Sequence, residues 1–169
     1  VDGGVDILLV ETVFDSMNCK CACYAVNEFF EERGKPRPPL MISVTIVDQS
    51  GRTLSGQMTE AFIISMNHIK PFSMGINCAL GADQMLPFYE ALTRNFDGWA
   101  SVYPNAGLPN AMGGYDETPE SFSKSLVAYA EKGLLNMVGG CCGSTPDHIA
   151  AIKNKVTEKG FKPRSLPMT

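Results

Sequence analysis

Short apolar runs alternate with helical stretches along the whole chain at a nearly constant spacing, and this rhythm limits the fold more than any other feature. Runs at 5–11, 40–48, 73–79, 98–105 and 135–140 read as strands, and stretches at 15–34, 59–69, 82–95, 118–133 and 144–160 read as helices. Successive strands begin about 32 residues apart, the length of one strand–helix unit. Local signals agree with the rhythm. Asp15 and Ser16 are cap candidates for the first helix and Gly34 is its stop, while Thr118-Pro119 and Thr145-Pro146 each place a cap before a proline at the first helical position. Pro87, within 82–95, is tolerated best in a first turn.

Strands read as apolar on both faces belong to a parallel sheet covered by helices. Two α/β architectures satisfy that requirement: an open doubly wound sheet, or part of a (βα)8 barrel. No G-x-G-x-x-G follows the first strand, which disfavours a nucleotide-binding sheet. Five units cannot close an eight-stranded barrel, and the chain begins directly in a strand, so a fragment of a longer domain is expected.

The 169 residues suffice for one domain with a real core. A net charge of -4 with no basic stripe argues against a nucleic-acid partner. No apolar run approaches the roughly 20 residues that span a bilayer, so no membrane role is expected. The opening VDGGVDILLVE lacks the basic segment and cleavage site of a secretory leader. Six cysteines are present, but Cys19, Cys21 and Cys23 crowd one helix and Cys141 and Cys142 are neighbours, unlike the spread of a secreted disulfide scaffold. The expectation is a reducing, cytoplasmic setting in which the thiols are buried or hold a metal.

The polar and reactive residues fall just after the strands: Glu11, Asp48, Asn77 and Cys78, Asn105, Cys141 and Cys142. Both architectures place function at the C-terminal ends of parallel strands. Cys78, Cys141 and Cys142 therefore share one rim. Three thiolates at one point repel one another, and zinc resolves this with bonds of about 2.3 Å, which puts the sulfurs about 3.5–4 Å apart. Three protein ligands and one open position form the pattern of catalytic zinc. The glycines around Cys141 and Cys142 allow two neighbouring side chains to reach one ion. Core packing and a vicinal disulfide are the competing readings of these thiols.

The stretches GINC and GGCCGSTPDHI resemble the zinc motifs of the homocysteine S-methyltransferase family. VETVFD, TIVDQSGRTLSGQ, NCALGADQM and YPNAGLPN further resemble its branch formed by the homocysteine-binding domain of cobalamin-dependent methionine synthase, in its C-terminal part. The resemblance implies the last five βα units of a (β/α)8 TIM barrel over residues 1–160, with 161–169 a linker toward a following module. It implies zinc on Cys78, Cys141 and Cys142. It makes Asn105 the residue whose side-chain oxygen completes the zinc shell until homocysteine displaces it. Glu11 would receive the substrate ammonium, and the backbone at Ala106 and Gly107 would hold its carboxylate. Methionine would form by methyl transfer to homocysteine from methylcobalamin, with the cobalamin- and folate-binding modules as partners in the same polypeptide. The alternatives are a cobalamin-independent homocysteine S-methyltransferase, or an inactive or structural zinc-binding fragment.

Other candidates read as structure. Cys19 and Cys23 share a helix face and Cys21 points away, so the three cannot converge on a metal. His68 and His148 lie on or near helices, and Trp99 and the methionines read as core, whereas Asp48 and the loop 48–57 lie on the active rim and read equally as a turn or as a face toward the cobalamin or folate module. An isolated five-stranded fragment would present an open, partly apolar cleft and associate in solution.

Overall fold

The structure, a computed structural model, describes residues 1–166. Five strand–helix units follow one another: β1 (Leu8–Val13), α1 (Ser16–Glu32), β2 (Leu40–Val44), α2 (Thr59–Met66), β3 (Ser73–Gly81), α3 (Ala82–Asn95), β4 (Trp99–Asn105), α4 (Pro119–Glu131), β5 (Met137–Val138) and α5 (Pro146–Glu158). All pairings are parallel and the sheet order is the chain order, β1 to β5. A doubly wound sheet reverses its order at a switch point. Here the chain steps always to the same side, which is the winding of a barrel wall, with right-handed crossovers that put the helices on one face.

That face holds the core. Leu40, Ile42 and Val44 of β2, Met74 and Ile76 of β3, and Ala100 and Val102 of β4 pack with Phe62, Met85, Tyr89, Phe122 and Tyr129 of the helices. The opposite, concave face differs from the expectation of apolar residues on both sides. It carries Ser43, Ser73, Gly75, Asn77 and Ser101, all but the glycine recorded as buried polar groups. These small residues bring the strands together: a side chain on Gly75 would fall on the Ser101 hydroxyl. Trp99 also departs from its core assignment and is 39% exposed at the start of β4.

The helix starts follow the caps. Asp15 Oδ1 accepts the Asn18 N–H at 2.7 Å, and Thr118 Oγ1 accepts the Ser121 N–H at 3.2 Å. The stretch 59–69 splits into α2 and a short 3-10 turn, Asn67–Ile69, that contains His68. Pro87 sits past the first turn of α3, where it leaves one helical bond unmade. β5 shrinks to two residues because Gly139 and Gly140 follow, although Gly139 N–H still donates to the Val102 carbonyl at 3.1 Å.

Beyond α5 the chain returns beneath the sheet. The guanidinium of Arg164 donates to the carbonyls of Gly98 (2.7 Å), Thr93 (2.9 Å) and Phe96 (2.5 Å), and the Arg164 carbonyl accepts from Asn136 Nδ2 at 2.9 Å. Residues 167–169 of the segment read as a linker lie outside the described residues. Among the described residues no helix is long and apolar enough to cross a membrane.

Candidate metal centre

β3 breaks register with β4 near its C-terminal end. Asn77 pairs with Tyr103, but the next pair is Gly81 with Asn105, so the segment after Asn77 bulges. Cys78 and Ala79 in the bulge have φ of 64° and 63°, a left-handed conformation that non-glycine residues rarely adopt. By simple alternation Cys78 would face the helices, opposite to Asn77. The bulge turns it instead toward the rim, where its sulfur lies 3.6 Å from that of Cys142.

Cys141 and Cys142 occupy a turn docked on the end of β4. Cys141 N–H donates to the Pro104 carbonyl and Ala106 N–H to the Cys142 carbonyl, both at 2.8 Å. Gly143 has φ of 79°, and a side chain there would strike Tyr115, so this turn requires glycine on two counts. The two neighbouring sulfurs consequently face the same side, 4.0 Å apart. The Cys78, Cys141 and Cys142 sulfurs all lie within 4.8 Å of one another.

Burial, and then the charge of Cys78, pushes the Cys141 thiol up to about 12. Gathering three such groups without a cation is unfavourable to their charged forms. A thiophilic cation reverses that balance, and three converging sulfurs are a donor set suited to zinc. The residues therefore fit a metal.

Asn105 is buried, and its Oδ1 accepts the Cys142 N–H at 3.1 Å. Ala106 is buried in the same stretch, with its N–H already engaged. Gly107, at φ 82°, donates its N–H to the Asn105 carbonyl at 2.8 Å and lies beside Glu117, whose carboxyl is raised chiefly by burial. Glu11 is exposed on β1 and shares the concave face with Tyr103. Burial pushes the Tyr103 phenol up, and Glu11 adds to that shift.

Other cysteines and histidines stay out of the cluster. Cys19 and Cys23 are buried on α1, where the neighbouring Cys23 thiol raises Cys19 above the ordinary thiol range, while Cys21 is exposed. His148 is buried, with Nδ1 accepting the Thr145 N–H at 3.2 Å and Nε2 directed at the Glu117 carbonyl at 2.9 Å. Asp48 accepts the Ser50 N–H in a turn. Two residues beside the thiols had no local signal. Tyr115 reaches over Gly143, its phenol raised by burial and then by Cys142. Thr12, at φ 57°, is tied to Asn77.

Residues 1–156 match the family model described as homocysteine S-methyltransferase. The fold is similar to that of the homocysteine methyltransferase MmuM from Escherichia coli. Against its apo form the TM-score is 0.71 at 21% identity, over 91% of this chain and 51% of that one. Against the metallated form the TM-score is 0.72 at the same identity, over 91% of this chain and 46% of that one. The chain thus spans about half the length of these relatives, and its five parallel strands correspond to about half of their barrel.

Proposed function

Because this chain belongs to the homocysteine S-methyltransferase family, we propose that it binds homocysteine and activates its thiol on a zinc ion held by Cys78, Cys141 and Cys142, within a cobalamin-dependent methionine synthase. The observation that carries this reading is the convergence of the three sulfurs within 4.8 Å.

When bound, zinc supplies a positive centre that holds a substrate thiol as thiolate at neutral pH, where a free thiol of pKa about 8.5 is mostly protonated. The chain's own residues do the rest. The turn at Cys141 and Cys142 presents two sulfurs on one side, and the bulge at Cys78 presents the third. Glu11 offers a carboxylate to the substrate ammonium. The Asn105 oxygen lies against the cysteine turn, where it can serve as the ligand that substrate replaces. The backbone of Ala106 and Gly107 lines the carboxylate end. The substrate sulfur forms a new bond to the methyl carbon, and the donor keeps the electron pair of the bond that breaks.

In this reading residues 1–160 form the substrate domain, and 161–169 lead toward a module that presents methylcobalamin, with a folate module as the earlier methyl source. Metal-binding thiols of this kind suit a reducing cytoplasm. A second reading, a homocysteine methyltransferase that needs no cobalamin, is equally consistent with the family match.

Zinc per chain, measured by atomic absorption, and homocysteine binding, measured by calorimetry, test the common core. Absence of metal from a folded protein overturns it. Methyl transfer assayed with methylcobalamin and with S-methylmethionine separates the two readings, since each predicts turnover with one donor and none with the other.

A further inference from the structure

Asn77 is fully buried in the middle of β3, just before its bulge, and its amide meets a partner for every hydrogen bond it can form. Oδ1 accepts from Ser43 Oγ at 2.6 Å and from the Thr12 N–H at 3.3 Å. Nδ2 donates to Thr12 Oγ1 at 2.9 Å and is directed at Cys141 Sγ, 4.0 Å away, the long end of an N–H···S contact. The Thr12 N–H can only donate, so the amide's orientation follows from its surroundings. The partners lie on β1, on β2 and after β5; none lies on β3 itself.

The position of Thr12 gives this network its meaning. β1 leaves register with β2 between Val10 and Val13, and Thr12 takes φ of 57° there. The irregularity leaves Thr12 N–H to the Asn77 oxygen. Thr12 directly follows Glu11. One side chain therefore ties the backbone beside the carboxylate to one of the three sulfurs, across the concave face.

We propose that Asn77 is a positioning residue that sets the distance between the ammonium-binding and sulfur-binding ends of the site, and thereby selects an amino thiol of homocysteine's length over a shorter one. The inference rests on the zinc and homocysteine reading above. Asn77 acts through Thr12 and Cys141, so both arms can be cut together or the Thr12 arm alone. Asn77→Asp keeps the acceptors and removes the donors to Cys141 and to Thr12 Oγ1. Thr12→Val cuts only the side-chain arm toward Glu11.

The test uses protein loaded with Co2+, whose sulfur-to-cobalt absorption reports the thiolate environment. Homocysteine and cysteine binding are read from the change in that band. Asn77→Asp is expected to shift the band and weaken Co2+ binding about tenfold. Thr12→Val is expected to leave the band of the substrate-free protein unchanged. It should weaken homocysteine binding about fivefold, the worth of one hydrogen bond, and narrow its preference over cysteine. If Asn77→Asp does not fold, Thr12→Val alone decides through that preference. Folded variants with unaltered band, metal affinity and preference overturn the role of Asn77 while leaving the metal reading intact. A wild-type protein that takes up no Co2+ overturns the metal reading itself.

Discussion

The side-chain oxygen of Asn105 accepts the backbone N–H of Cys142 at 3.1 Å, and among the described residues this is the one side-chain bond that docks the double-cysteine turn on β4. The other two, from Cys141 to Pro104 and from Ala106 to Cys142, are backbone bonds that substitution cannot remove. Replacing Asn105 by alanine should therefore loosen the turn and lower zinc affinity about tenfold. Competition with a chromophoric chelator measures this, and an unchanged affinity would count against any role of Asn105 at the metal.

The six cysteines should divide cleanly in two. Cys78→Ser, Cys141→Ser or Cys142→Ser is expected to abolish stoichiometric zinc in purified protein. Joint replacement of Cys19, Cys21 and Cys23 by alanine should leave zinc content at the wild-type level. The buried pair, Cys19 and Cys23, should each cost about 1 kcal/mol of stability. Loss of zinc from a folded triple variant would contradict the assignment.

Metal-free protein should lose stability in alkali. Cys141 is raised from an ordinary value of 9.0 to about 12, so the folded state holds its proton more tightly than the unfolded state does. Its contribution is whole below pH 9 and is lost as pH rises toward 12. Urea midpoints of the metal-free protein should fall across that window, and Cys141→Ser should flatten the fall. Zinc should flatten it too, since a metal-bound sulfur no longer exchanges a proton there.

Arg164→Ala should destabilise the protein by about 3 kcal/mol, because the carbonyls of Thr93, Phe96 and Gly98 lose one shared charged donor. Urea denaturation checks the value. Arg164→Lys should recover only part of it, since an ammonium cannot reproduce the planar fork.

The extent to which these features were legible depends on how far apart in sequence their causes lie. Asp15 and Thr118 could be read as caps because each acts on a backbone amide three residues away. The span of α3 was legible from its helical run between two strands. Cys78, Cys141 and Cys142 could be read because each lies toward or just past the C-terminal end of a strand, and that position is a property of the repeat. The bulge that turns Cys78 around could not be read: Cys78 and Ala79 carry no sequence sign of left-handed backbone, and the conformation is imposed by neighbouring strands. Asn77 meets Thr12 across 65 residues and Ser43 across 34, so its role depends on register between strands. The polar concave face was missed because an isolated serine within an apolar run looks tolerated rather than required. Arg164 lay in a segment without periodicity, and its carbonyl partners lie 66 to 71 residues away.

Cys78 and Cys142 stand 64 residues apart, with β4 between the strands that carry them. That separation bears on the order of events as the chain folds. The sulfur clamp forms only after β3, β4 and β5 have docked, because long loops must close before the sulfurs meet. Zinc held by all three sulfurs is therefore expected to engage late in folding. It should slow unfolding while leaving the refolding rate of the same protein unchanged, the pattern of contacts absent from the transition state. During synthesis Cys78 emerges well before its partners and waits as an ordinary thiol until residue 142 has been made.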